Sequence, residues 1–273
     1  MKIVGTLIAA SGLAVCLASN PAHPATVPEV RENLATRLIG RTVENQDATE
    51  LGKIRDFILE ADTGKPRYAV IASGGFAGVK PRRRLVATPA LSLATAKRTV
   101  VYLEIPSQKW AKAPIYKKSD LAKLGKQEVM REVYDFYGIP SGGSPATPAK
   151  PGAGQLSQTG LEANVPGADV SMRRASEILG QPVLDSNREK LGSISDLLLD
   201  VSGVNPTMAI VSAKSLLKTS ECFAVPLHSL KLSKENKFIA GATLASLEKA
   251  TLLTERSWRQ SASREAFYRC PAR

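Results

Sequence analysis

Leu51-Gly52-Lys53-Ile54-Arg55-Asp56 returns without a gap as Leu191-Gly192-Ser193-Ile194-Ser195-Asp196. The same offset of 140 residues holds on either side of this hexapeptide. Upstream, Leu38-Ile39-Gly40-Arg41-Thr42-Val43 is matched by Ile178-Leu179-Gly180-Gln181-Pro182-Val183. Downstream, Pro66, Ala69 and Ile71 are matched by Pro206, Ala209 and Val211. After a three-residue deletion in the second copy, Ala87-Thr88-Pro89 aligns with Ala224-Val225-Pro226, and Leu93 with Leu230. A repeat of this kind is one structural unit used twice, and a chain of 273 residues has room for two domains of ~100 residues.

Within each copy the local pattern is that of strands. Ile58-Leu59 and Tyr68-Ala69-Val70-Ile71 are rich in β-prone residues, and Asp62-Thr63-Gly64-Lys65-Pro66 between them is turn chemistry, which together predict a hairpin. The second copy has Val201-Ser202-Gly203-Val204-Asn205-Pro206 in that place. A short strand precedes Pro89 and Pro226, and Thr99 to Ile105 is a further one. Short strands separated by turns every ~8 to 12 residues suggest a small barrel or sandwich. Helical signals follow the strands. Ser107 and Thr243 stand as N-caps before Gln108–Ala113 and Leu244–Lys249, while Ser119–Tyr137 carries Val129, Met130, Val133, Phe136 and Tyr137 at helical spacing. That stripe is expected to cover its own barrel, with an exposed docking helix as the alternative. The tail from Trp258 to Tyr268 is its shorter counterpart.

These residues resemble the PRC-barrel family. The shared pattern is Leu-Ile-Gly-x-x-Val, a polar turn, Leu-Gly-x-Ile-x-Asp, two apolar strands around a turn, and an apolar-Pro segment, met by Leu38 to Pro89 and by Ile178 to Pro226. The resemblance implies a mainly β fold: two six-stranded PRC-type β-barrels in tandem, each followed by short helices. It also implies contacts with protein or RNA, or an assembly role, without catalysis. Copy two departs from the pattern at Pro182 and lacks the Gly-rich loop.

The expected organisation is a signal peptide over residues 1–25, a first barrel with its helix over 26–138, a flexible linker over 139–171, and a second barrel with its tail over 172–273. Lys2 followed by the apolar run Ile3 to Ala18 reads as an export signal, too short to be a membrane span. The mature chain is therefore expected in the periplasm or cell envelope, without a transmembrane segment. Lipid attachment at Cys16 is a lesser alternative because Val15 before it is bulky. The linker, with Ser141-Gly142-Gly143-Ser144-Pro145 and further Pro and Gly, has few residues to bury.

Export leaves Cys222 and Cys270 as a candidate disulfide, with two unpaired thiols as the alternative. Gly52 and Gly192 open a strand where a missing Cβ permits close backbone approach. Asp56 and Asp196 share strand parity with Ile54 and Ile194 and so are expected to face the same interior. There each would accept N–H bonds from a neighbouring turn and pin its barrel. These four are structural residues in this reading.

No catalytic, cofactor-binding or metal-binding residues are assigned. His23 and His228 are the only histidines, and neither a Cys-x-x-Cys spacing nor a Gly-x-Ser-x-Gly elbow occurs. Ser73 to Lys80 resembles a phosphate loop but lacks the Gly-Lys-Ser/Thr ending, so it reads as a hairpin loop. The formal charge of +12 favours anionic partners, and Lys80, Arg82, Arg83 and Arg84 are the candidate anion contact. The functional expectation is a non-enzymatic exported binding or scaffold protein, meeting a partner protein or an anionic envelope component. The alternative is a basic stress protein binding acidic lipid, lipopolysaccharide or cell-wall polymer. Nucleic acid is not an expected partner, since no aromatic-interleaved basic platform is present.

Overall fold

The structure is a computed structural model that describes residues 32–74, 81–93, 99–139, 168–202, 205, 207–212, 222–233, 235, 237–254, 258 and 268–270. The expected signal segment, Cys16, His23, Lys80 and most of the linker lie outside the described residues. Among the described residues, no helix is long and apolar enough to cross a membrane.

Copy one begins with a single helical turn, α1 (Ala35–Leu38), and continues through β1 (Thr42–Glu44), β2 (Glu50–Glu60), β3 (Pro66–Ser73), β4 (Arg82–Ala87), β5 (Leu91–Leu93) and β6 (Val100–Leu103). It ends in α2 (Ser107–Trp110), a 3-10 helix (Lys118–Gly125) and α3 (Gln127–Phe136). The described part of copy two contains β7 (Met172–Arg174), α4 (Ala175–Ile178), β8 (Pro182–Leu184), β9 (Lys190–Leu198), β10 (Met208–Ser212) and β11 (Cys222–Pro226). It closes with β12 (Lys231–Leu232), β13 (Phe238–Ile239), α5 (Leu244–Glu248), β14 (Thr251–Leu252) and β15 (Tyr268–Arg269). Thr243 caps α5, its side chain accepting the Ser246 N–H at 3.3 Å. Ser107 is not a cap: it lies within α2, and its hydroxyl instead meets the Asn45 amide at 3.1 Å.

The strands form two sheets. The order in the first is β4-β3-β2-β1-β6-β5, and in the second β12-β13-β8-β9-β10-β11-β15-β14. Among the described residues the expected closure into six-stranded barrels is not seen: β4 and β5 lie at opposite ends of the first ladder, and β12 and β14 at those of the second. β3 and β4 pair antiparallel down to Ser73↔Arg82, and residues 75–80, expected to be a hairpin loop, lie outside the described residues.

Two features depart from two tethered units. β7, although it belongs to copy two, pairs with β2 of copy one through Ile58↔Arg174, Leu59↔Arg173 and Glu60↔Met172. Its counterpart is the bridge Leu34↔Leu198, which brings the start of copy one onto β9 of copy two. One hydrophobic cluster accordingly runs through both copies, including Leu38, Val43, Ile54 and Phe57 from the first and Ile178, Val183, Ile194 and Leu197 from the second. The segment expected to end a free linker is also engaged. Val170 N–H donates to the Gly125 carbonyl at 2.9 Å, and Ala61 N–H donates to the Ser171 carbonyl at 2.8 Å.

The opposite face of each sheet is covered by the chain that follows it. On sheet one, Met130, Val133 and Tyr134 of α3, at i, i+3 and i+4, pack with Ile58, Tyr68, Val70 and Leu85. On sheet two, Leu253, Trp258 and Tyr268 cover the repeat-equivalent Leu198, Met208 and Ile210. Different sequences thus perform one task, which the 140-residue alignment does not reveal.

Four tyrosines in or beside the first of these covers predict an alkaline response. Burial pushes the phenols of Tyr68, Tyr116, Tyr134 and Tyr137 above the usual tyrosine range. The fold favours their neutral form, so this stabilisation is complete below the unfolded value near ~10 and is lost as pH rises through the raised folded values. In a spectrophotometric titration these tyrosines are expected to ionise only as near-ultraviolet dichroism collapses. Reversible ionisation of every tyrosine near ~10 with the fold intact contradicts this.

Candidate functional site

Two carboxylates add hydrogen bonds between the copies to this shared packing. A bulge between Ile54 and Asp56 in the β2–β3 ladder shifts the strand parity, so Ile54, Phe57 and Leu59 face the shared core while Ile58 faces α3. This corrects the expected common orientation of Asp56 and Ile54. The ladder between β9 and β10 shifts at the same place, opposite Ile210/Val211. Asp56 then reaches copy two: it accepts the Ser176 N–H at 3.1 Å and the Ser176 hydroxyl at 2.6 Å, together with the Phe57 N–H at 2.9 Å. Asp196 does the reverse, accepting the Thr36 N–H at 3.1 Å, the Thr36 hydroxyl, and the Leu197 N–H at 2.8 Å. The pinning therefore runs between the copies, with one N–H of its own strand added at each carboxylate.

Each carboxylate sits at the first turn of the other copy's helix, where unpaired N–H groups favour negative charge. Thr36 and Ser176 are themselves related by the offset of 140 residues. The aligned repeat begins at Leu38 and Ile178, just downstream of this pair. The signal that would have found this pair is a small hydroxyl residue recurring two positions further upstream.

Other repeated carboxylates and amides are equally committed. Asn45 Oδ1 accepts the N–H groups of Asp47 and Thr49 at 3.0 and 2.9 Å, and Asp185 Oδ1 accepts those of Asn187 and Glu189 at 2.8 and 2.9 Å. Glu60 takes both the Nε and Nη2 of Arg67 at 3.0 and 2.6 Å. Asp200, its counterpart, instead holds the Ser202 and Asn205 turn at 2.6 to 3.0 Å. Thr207 then donates its hydroxyl across the copies to the Gly64 carbonyl at 2.6 Å.

This packing leaves a groove of about 1030 Å³ between the copies. Its lining includes Ala61 and Asp62 at the tip of the first hairpin and Arg173, His228, Lys231 and Leu232 of copy two. Leu232 is 38% exposed, one of few large apolar side chains turned outward among the described residues. Glu177 at the groove is held below the usual carboxylate range, first by its hydrogen bond from Arg174. Arg173, Lys231 and His228 thus share the lining with Asp62 and with Glu177, which Arg174 already engages.

The expected anion contact is divided by the structure. Arg82 and Arg83 are exposed on the edge strand β4. Arg84 turns inward, a correction to its assignment: it is 6% exposed, its guanidinium lies 5.3 Å from the Trp110 ring centroid, and its Nη2 donates to the Ala111 carbonyl at 3.2 Å. Strand alternation explains this, since Arg84 falls on the face that packs on α2.

Gly52 has φ of +141°, and a Cβ there would overlap the Ala72 carbonyl, so the close approach expected of it is made within the β2–β3 pair. Gly192 holds the matching register opposite Val183. Cys222 and Cys270 form a disulfide with Cα atoms 5.4 Å apart, joining β11 to the end of β15. The PRC-barrel domain model matches residues 31–111 and 171–240, more than half of the chain. The chain belongs to the PRC-barrel family. No curated protein matches it. Both PRC-barrel copies contribute to the groove, and the exposed basic edge of Arg82 and Arg83 lies on the first copy.

Proposed function

We propose that this PRC-barrel protein is a non-enzymatic, exported binding or scaffold protein whose paired copies hold an extended segment of a partner protein in the groove between them. The observation that carries the reading is the groove's construction from both copies, held at a fixed separation by the Asp56 and Asp196 caps. An open cleft with exposed Leu232 beside Lys231, Arg173 and His228 suits a polypeptide carrying apolar and acidic side chains. Binding over catalysis is supported by the buried carboxylates, since Asp56, Asp196, Glu60 and Asp200 already accept structural hydrogen bonds. The disulfide suits an oxidising compartment, in keeping with export.

Photocrosslinkers placed at Leu232 and at Lys53, which is exposed on β2, test this in intact cells. The expected result is a discrete protein adduct from position 232, absent at position 53, and lost when Arg173 and Lys231 are both changed to Glu. Equal labelling at both positions, or none at 232, overturns the reading.

A further inference from the structure

The edge of sheet one carries a second surface, which shares no lining residue with the groove. The chain after α2 runs beside β4: Leu85 N–H donates to the Pro114 carbonyl and Tyr116 N–H to the Arg83 carbonyl, both at 2.8 Å, so that Ile115 stands opposite Arg84. Ile115 is 62% exposed, the most open of the large apolar side chains among the described residues. Around it along the two chains lie exposed Arg82, Arg83, Lys112, Lys117 and Lys118. From Ile105 to Ser119 there is no acidic residue. Among the described residues none of these five cations has an ion-pair partner, whereas Lys109 nearby is placed 5.1 Å over the Phe136 ring.

We propose that this basic collar around Ile115 docks on an anionic lipid bilayer. Charge alone would fit any polyanion. The exposed apolar side chain beside these cations favours a bilayer, where it leaves water while the neighbouring cations meet headgroup phosphates. One isoleucine and five cations make a reversible, salt-sensitive contact, orienting the groove relative to the membrane without anchoring the chain irreversibly.

Sedimentation of the full chain with vesicles tests the assignment. Mixed phosphatidylglycerol and phosphatidylcholine vesicles are expected to bind it, and pure phosphatidylcholine vesicles are not. Neutralising one collar cation weakens binding about fivefold, so Lys117→Glu with Lys118→Glu weakens it by at least about 25-fold. Ile115→Ser weakens it about tenfold, by loss of the inserted apolar surface. All three positions are exposed, so unchanged melting temperatures separate these losses from misfolding. Equal binding to both vesicle types overturns the proposal. So does Ile115→Ser binding as tightly as the parent, which would leave a surface that reads charge and not a bilayer. The groove crosslink at position 232 is measured separately, so either idea can fail alone.

Discussion

Asp56→Ala is expected to destabilise the whole protein by about 3 to 4 kcal/mol, since three hydrogen bonds to one charged acceptor are lost and a buried N–H at Phe57 is left unmatched. At roughly 2 to 4 °C per kcal/mol for a chain of this size, the melting temperature falls by roughly 10 °C. Asp56→Asn keeps an acceptor without the charge and should fall between. The diagnostic is where the loss appears. Because the carboxylate belongs to copy one and its Ser176 partner to copy two, Asp56→Ala and Ser176→Ala are expected to be strongly non-additive in a double-mutant cycle. Additive effects would place the stabilising role of Asp56 within its own strand.

Removing the disulfide is expected to have a comparable effect by another route. Cys222 and Cys270 are separated by 48 residues, and opening a loop of that size costs about 4 kcal/mol in the chain-entropy account. The bridge fixes β15 against β11, and with it Tyr268 and the cover that also includes Trp258 over Leu198, Met208 and Ile210. Cys222→Ser with Cys270→Ser should therefore lower stability and shift Trp258 fluorescence to the red. Copy one, whose sheet is covered by α3, should keep its tyrosine near-ultraviolet signal. A stability change below about 0.5 kcal/mol would show that packing alone retains the tail.

The repeat was legible because both copies needed the same strand pattern, and a gapless hexapeptide is hard to produce otherwise. The hairpin turns, the Thr243 cap and the α3 stripe followed from local chemistry. The orientation of Asp56 did not, because a single bulge after Ile54 reverses parity and nothing in Lys53-Ile54-Arg55-Asp56 announces it. The exchange of β7 and of the Leu34 bridge between copies was also hidden, since short segments of three residues carry little pattern of their own. Of the anion cluster, Arg82 and Arg83 were readable as surface residues, whereas Arg84 was lost to strand alternation and the ring of Trp110. The groove was invisible, because its lining joins residues about 170 apart in sequence, such as Asp62 and Leu232.

Scanning calorimetry of the intact chain and of Asp56→Ala bears most directly on the idea that each copy is completed by the other. One transition is expected, with calorimetric and van't Hoff enthalpies equal, and the variant should move it as a whole. Two separable transitions, of which Asp56→Ala moves only one, would mean that the copies melt independently and that the caps merely decorate their boundary.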